Sequence, residues 1–237
     1  MIAPLKKVPD TEKTVVGAKI ETLYDCYNEL PALASFFEHE GGGLLALFGG
    51  RLTVCGSIPS DELLSFADFV GALEIEGLEG EIPELDGFCR TLHPIMAHDG
   101  TTDHAKCEEA VDLMAGYDIL SSADNMFAQS CDRWEWLSDM TRRRNCQRGT
   151  VYARDGAAVV VTAKNSRELI IGAVASRPDA RKKGAASALV MSVCRKAQEN
   201  GLIPVTIAAD EETAGFYSRI GFKKTDSLAL LTRKQGL

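Results

Sequence analysis

Asp155-Gly156, set between TVYAR and AAVVVTAK, constrains the fold of this sequence more than any other feature. Both flanking runs are rich in residues that suit a pleated sheet, and an Asp-Gly pair supplies the positive-φ turn that closes a two-residue hairpin. A third strand follows in ELIIGAVAS, and RPDARKKG then leads into ASALVMSVCRKAQEN. In that run Leu189, Val190, Val193, Cys194 and Ala197 recur at helical spacing, which predicts one apolar stripe on a helix, with Gly201 as its C-terminal stop. IPVTIAA reads as a further strand, EETAGFYSRI as a short helix and SLALLTRK as a last strand. The predicted order is β-β-β-α-β-α-β, an α+β fold on a mixed sheet.

Upstream the pattern is weaker. ETLYDCYNELPALASFFEHE predicts a helix that Pro31 breaks or kinks. Leu44 to Phe48 and Leu52 to Cys55 predict two strands around Gly49-Gly50-Arg51, with Gly41-Gly42-Gly43 as a loop. Ser60 predicts a cap for a helix through DELLSFADFV, whose first-turn acids suit the helix dipole, and LEIEG predicts a strand. Residues 80–87 (GEIPELDG) are turn-rich and acidic, a candidate linker. FCRTLHPIM then predicts a strand, DHAKCEEAVDLMAGY a helix, and CDRWEWLSDMTRRRN a long helix ending in Arg142, Arg143 and Arg144. Trp134 and Trp136, two positions apart, face different sides of that helix and cannot form one stacking platform; one is expected in the core and the other beside an acceptor site.

With 237 residues, 45% of them hydrophobic, the chain can bury one large core or two modest ones. No run approaches the ~18 apolar residues that cross a bilayer, and MIAPLKKVPDTEK has no secretory apolar region, so a cytoplasmic protein without membrane contact is expected. The seven cysteines are widely scattered and form no C-x-x-C pair, which predicts reduced packing residues. Net charge is -8 but uneven: residues 1–120 carry 7 basic and 22 acidic side chains, residues 121–237 carry 19 and 12. Such asymmetry fits a polyanionic cofactor on the basic half and a cationic substrate near the acidic one, and equally two differently solvated surfaces. The arginine run reads as a solvated last helix turn rather than a nucleic-acid patch, since the chain is acidic and shows no aromatic interleaving, and no nucleic-acid partner is expected.

The segment from Glu168 to Val190 carries most of the chemistry. A helix N-terminus offers unpaired N–H groups and the positive end of a dipole to a phosphate. Gly184 removes a side chain where a diphosphate approaches the backbone, Ala185 and Ala186 keep the first turn small, and Arg181, Lys182 and Lys183 add positive charge. Neither a Walker A loop nor a G-x-G-x-x-G fingerprint is present. By itself this pattern fits an anion site and a plain strand–helix junction equally well.

Arg181-Lys182-Lys183-Gly184-Ala185-Ala186 resembles the R-x-x-G-x-G/A signature of the GNAT acetyltransferase superfamily, and Asp210 to Phe222 (DEETAGFYSRIGF) resembles its N-x-x-A-x-x-F/L-Y-x-x-x-G-F motif. Asp210 stands in place of the usual Asn and Thr213 in place of Ala. The resemblance covers about half the chain, and it implies the acyl-CoA N-acyltransferase fold with acetyl-CoA (coenzyme A) as donor. It implies that the loop cradles the pyrophosphate, and that a bulged, splayed strand around Gly172, Val174, Ala175 and Ser176 holds the pantetheine and thioester. Asp210 takes a further coenzyme position, Tyr217 that of the proton donor to the departing thiolate, and Glu168 that of a general base used by several members. Free N–H groups aimed at the thioester oxygen would stabilise a tetrahedral intermediate by roughly a few kcal/mol.

The N-terminal order of strands, helix and strand resembles a worn copy of the same unit. The expected organisation is therefore a degenerate GNAT-like subdomain at 1–110 and an acetyltransferase domain at 111–237, with an unrelated α+β cap as the alternative. The implied reaction is direct attack by a primary amine of a small, cationic acceptor, with no acyl-enzyme; Cys194, on an apolar stripe, is a poor nucleophile. Two other readings remain: a non-catalytic acyl-CoA sensor, and an interaction module whose acidic half docks a basic partner. A homodimer is common among similar proteins. No metal is expected, since His93, His98, His104, Asp99 and Asp103 match no compact ligand spacing.

Overall fold

A computed structural model describes residues 1–6, 11, 14–98, 100, 110–123, 127, 129 and 131–234. In chain order these form β1 (Ile2–Pro4), α1 (Val15–Tyr27), β2 (Ala34–His39), β3 (Leu44–Phe48), β4 (Arg51–Cys55), α2 (Ser60–Phe69), β5 (Glu74–Leu78), β6 (Phe88–Ala97), β7 (Ala110–Val111), α3 (Leu113–Ala123), α4 (Arg133–Asn145), β8 (Thr150–Arg154), β9 (Ala157–Lys164), β10 (Glu168–Ser176), α5 (Ala185–Glu199), β11 (Ile203–Ile207), α6 (Glu211–Arg219) and β12 (Lys223–Arg233). Two compact units result: Met1–Met96 with Ile207–Ala214 and Lys224–Leu237, and Ala97–Thr206 with Gly215–Lys223. The chain thus leaves the first unit after Met96 and re-enters it twice, at Ile207 and at Lys224. The last strand belongs largely to the first unit because β12 pairs antiparallel with β5, from Leu228 opposite Leu78 to Thr232 opposite Glu74. Among the described residues no helix is long and apolar enough to cross a membrane.

In the first unit β1 to β4 are consecutive antiparallel neighbours, and α2 carries the chain from β4 to a parallel β5. The helix expected through His39 stops at Tyr27, and ASFFEH is β2 instead. Pro31 ends the helical option, and the adjacent phenylalanines explain the strand. Phe36 meets Tyr24 of α1 at 5.2 Å and Phe37 meets Phe66 of α2 at 4.9 Å, opposite faces that only period-two alternation serves. Ser60 is the first helical residue rather than the cap; Pro59 holds that place without a side-chain bond. The segment 80–87 is no linker, since Ile82 and Leu85 are buried in the core formed by Leu45, Leu52, Val54, Leu63, Ile75 and Leu231. Ile82 lies over Gly77, where an added Cβ would come within 2.6 Å of it. Beside it, the amide of Gly56 donates to Glu81 Oε2 at 2.9 Å.

Away from that core, β5 buries the carboxylate of Glu76, 2% exposed. Lys19 Nζ lies 2.5 Å from Oε1, Arg51 Nη1 3.6 Å from Oε2, and Thr53 Oγ1 donates at 2.8 Å. Burial pushes the Glu76 carboxyl up, but the charges of Lys19 and Arg51 and the bonds from Lys19 and Thr53 outweigh it and hold the group below its usual value.

The second unit repeats the same plan. The strands β7, β8, β9 and β10 are consecutive antiparallel neighbours, and α5 carries the chain from β10 to a parallel β11. Val151 packs against α3 where Gly116 has no Cβ, while the next residue, Tyr152, lies under Lys196 of α5 at 5.0 Å. Successive strand residues face opposite ways, so α3 and α5 cover opposite faces. Leu120, Met140, Val151 and Val160 form the core on the α3 and α4 side. The expected DHAKCEEAVDLMAGY helix starts late: α3 begins at Leu113, Ala110–Val111 is β7, and 101–109 lie outside the described residues. The expected β-β-β-α-β-α-β order from Thr150 is borne out, with β12 longer than SLALLTRK.

Glu76→Gln would leave Lys19 and Arg51 facing a neutral amide, and breaking a buried pair in this way costs about 3 kcal/mol. Urea unfolding at pH 7 should show that loss. The folded Glu76 value is depressed, so its contribution is present above the unfolded carboxyl value and fades as pH falls through the folded one. The gap between wild type and variant should therefore narrow in acid; a gap independent of pH would contradict the ionised assignment.

Candidate active site

β10 departs from regular geometry where it matters most. Against β9 its register shifts between Ile170 and Ile171 and again between Ile171 and Ala173, a bulge around Gly172. Gly172 is required there, because an added Cβ would overlap the Thr162 side chain. Against β11 its pairing runs only from Glu168 opposite Ile203 to Ile171 opposite Thr206. Beyond that rung Gly172, Val174, Ala175 and Ser176 make no ladder bonds on the β11 side, which leaves backbone groups open to a ligand.

After Ser176 the chain makes a short 3₁₀ turn, Pro178–Ala180, and Lys182 and Gly184 adopt positive φ of 60° and 80°. Gly184 is the N-cap of α5 and brings no side-chain acceptor for the first-turn amides, which include those of Ala185 and Ala186; the first turn has no acid. An added Cβ at Gly184 would meet nothing within 4 Å, so open space lies before the helix end. Lys182 and Lys183 are exposed beside it. Arg181 donates to the carbonyl of Ala123, at the end of α3, at 2.9 Å and to that of Ser176 at 3.4 Å, fixing the loop. Open backbone, uncapped amides, small side chains and positive charge fit a diphosphate followed by an extended polar chain.

Tyr217 of α6 is 4% exposed, wedged edge-on between Phe216 and Phe222 at 5.1 and 5.2 Å. Thr206 of β11 donates its hydroxyl proton to the Ile171 carbonyl at 2.9 Å, on the last β10–β11 rung, and its hydroxyl is among the groups that influence Tyr217. Burial holds the Tyr217 phenol above the usual value; the Thr206 hydroxyl opposes this and the neighbouring Cys194 thiol adds to it. Cys194 itself is buried, which pushes its thiol up to about 12. Asp210 precedes α6 and caps it: its Oδ1 accepts from the Thr213 amide at 2.7 Å. Those bonds hold its carboxyl below the usual value.

Glu168 opens β10, three residues before Ile171, about 10 Å along the strand. Burial pushes its carboxyl up to about 7, only partly offset by Arg167, and Oε2 finds no hydrogen-bond partner among the described residues. Sequence reasoning missed Thr206 and Thr162; the signal for Thr206 was a lone hydroxyl in the otherwise apolar IPVTIAA. Trp136 packs with Tyr117 and Phe127, whereas Trp134 is exposed on a groove along α4 with Ser138, Thr141 and Arg142. Among the described residues no three His, Cys, Asp or Glu converge on a metal site, and Asp99, Asp103 and His104 lie outside them.

Residues 147–224 match the family model described as the acetyltransferase (GNAT) domain. No curated protein matches the sequence. Solved structures of similar fold include an acetyltransferase from the GNAT family of Colwellia psychrerythraea, 12% identical, with a TM-score of 0.57 over 99% of this chain and 100% of that one. A GCN5-related N-acetyltransferase from Kribbella flavida is 16% identical, with a TM-score of 0.57 over 82% and 87%. A tandem GNAT protein from the clavulanic acid biosynthesis pathway is 12% identical, with a TM-score of 0.57 over 98% and 90%. At these identities the likeness is one of fold; the family match supports acyl transfer as the chemistry.

Gly172→Ala should lower stability by roughly 2 kcal/mol through overpacking against Thr162, and Thr162→Ala should restore part of it in the double variant; additive losses in urea unfolding would argue against the contact. A second test concerns Glu168, whose folded value is raised. Stability should fall as pH rises from the unfolded carboxyl value through about 7, and Glu168→Gln should flatten that slope. An unchanged slope in the variant would assign it to other groups.

Proposed function

Taking as premise that residues 147–224 carry a GNAT acetyltransferase domain, we propose that this protein transfers an acetyl group from acetyl-CoA to a primary amine of a small, cationic acceptor by direct attack. The parting of β10 from β11 just before an uncapped, basic helix start carries this reading. Bound acetyl-CoA supplies the thioester that the amine attacks and the thiolate that leaves. On the protein side, the α5 amides with Lys182 and Lys183 would hold the diphosphate, and Gly172 to Ser176 would align the pantetheine through open backbone groups. N–H groups beside the bulge would face the developing oxyanion. Tyr217, kept protonated by burial, would deliver the proton to sulfur, and Glu168, near 7, is tuned to accept one from the amine through water. The acidic first 120 residues favour a cationic acceptor over an anionic one.

We assign one acetyl-CoA site per chain. The first unit has the same strand and helix plan, but its corresponding helix start is occupied by its own acids. Asp61 and Glu62 fill the first turn of α2, Glu81 takes the Gly56 amide, and Ile82 covers Gly77. A further anion there would meet carboxylates rather than cations.

Calorimetric titration of acetyl-CoA should give one site, lost in a Gly184→Glu variant whose circular dichroism is unchanged, and an amine screen should then give turnover with cationic amines first. Binding without turnover would favour the sensor reading, and acetylation of acidic amines alone would overturn the acceptor class. Absence of binding to wild type would leave the motif as scaffold and favour an interaction module.

A further inference from the structure

We propose that Arg143 is a positioning residue for acetyl-CoA: it holds the paired bulge of β9 and β10 in place, and with it the open backbone from Gly172 to Ser176. This deepens the acetyl-transfer reading above and rests on it. Of the arginine run that ends α4, Arg142 and Arg144 are exposed, as a solvated last turn requires. Arg143 is turned inward, its side chain only 12% exposed. Its Nε donates to Asp139 Oδ1, one turn back on α4, at 2.8 Å, and its Nη1 donates to the carbonyl of Thr162 at 2.7 Å.

Thr162 is where β9 leaves regular pairing. The register passes from Ala163 opposite Ile170 to Val161 opposite Ile171, and then to Val160 opposite Ala173, so Thr162 is the extra residue on one strand and Gly172 on the other. β8 gives Thr162 no partner either, because its pairing starts with Thr150 opposite Val161. A carbonyl that the ladder does not serve needs a donor from elsewhere, and α4 supplies one as a guanidinium already oriented by Asp139. A slip of one position would turn the side chains of that stretch to the other face and carry the Thr162 carbonyl away from Arg143. The arginine's own backbone is fixed in turn. Its carbonyl accepts from the amides of Arg148 at 2.8 Å and Gly149 at 3.2 Å, and Gly149 passes so close to β9 that an added Cβ would lie 2.7 Å from the Val161 carbonyl oxygen. Arg148 adds a second tie, donating from Nη1 to the Lys164 carbonyl at 2.6 Å. On the β10 side the Thr162 side chain fills the space over Gly172. The constraint thus runs from α4 through β9 to the bulge of β10, beside Ile171, the last residue paired with β11.

The test titrates the full chain by calorimetry with acetyl-CoA and, separately, with 3′-phosphoadenosine 5′-diphosphate, the coenzyme cut at its diphosphate. The fragment would use the α5 amides with Lys182 and Lys183; only the whole coenzyme would use β10. Arg143→Met keeps the apolar stem and removes the donor. It should weaken acetyl-CoA binding about tenfold, the size of one hydrogen bond to a charged group, with the fragment changed less than about twofold. Arg143→Lys keeps the cation without the fork that reaches both Asp139 and Thr162. It should show the same split at smaller size, and it decides the matter if Arg143→Met fails to fold. Amide hydrogen exchange should quicken across 160–176 and stay unchanged in the first unit. Wild-type affinity for acetyl-CoA in both variants, equal losses for coenzyme and fragment, or unchanged exchange across 160–176 overturns this inference and leaves the acetyl-transfer reading standing. Failure of the wild type to bind acetyl-CoA sinks the inference and that reading together.

Discussion

Everything proposed for the site depends on β10 being paired on both sides up to Ile171 and on one side thereafter. A parallel strand pair normally satisfies its backbone groups along its whole length, so an interior strand that stops pairing leaves polar groups to be satisfied by something else. Gly172 absorbs the extra residue against Thr162, and Thr206 ties the last rung through its hydroxyl to Ile171. Because the opening lies between two strands of one sheet, its edges are held by the core on either face rather than by mobile loops. A reacting group placed on that edge is pre-aligned by the fold itself.

The two units share one plan of strands and helix and differ in how the helix start is filled. Both run an antiparallel meander into a helix and then a parallel strand. The difference is in the sign of the charges at the helix start and in what fills the gap. α2 has Asp61 and Glu62 in its first turn, which satisfy its dipole internally. α5 has no acid there and is preceded by Arg181, Lys182 and Lys183, so its dipole and its cations favour an anion from outside. In the first unit Ile82 and Leu85 turn a would-be cleft into core, which stabilises the unit by the burial of apolar surface.

The sequence made the second unit readable because its signals are local: Asp155-Gly156 closes a hairpin, β-branched runs make strands, and one stripe makes α5. The loop proposed to hold the diphosphate was legible for the same reason, since R-x-x-G-x-A is contiguous. What failed depended on tertiary partners. ASFFEH is a strand because Tyr24 and Phe66 wait on opposite sides of Phe36 and Phe37, and GEIPELDG is core because Gly77 leaves room for Ile82. The sequence also could not announce that β12 would pair with β5 across about 150 residues of chain, nor that the Thr206 hydroxyl would reach the Ile171 carbonyl.

The two ionisable groups proposed for catalysis are both raised by burial, yet burial prepares them for opposite tasks. A phenol pushed up stays protonated through the neutral range, as a proton donor must. A carboxyl pushed to about 7 is divided between its two forms at neutrality, which suits a group that accepts a proton and later returns it. Placement limits how the carboxyl acts. Glu168 lies about 10 Å along β10 from the rung at Ile171 where the strands part, farther than a glutamate side chain spans. A base at that distance would act through water, so the proposed transfer would need a wet path for the amine's shed proton along the start of β10.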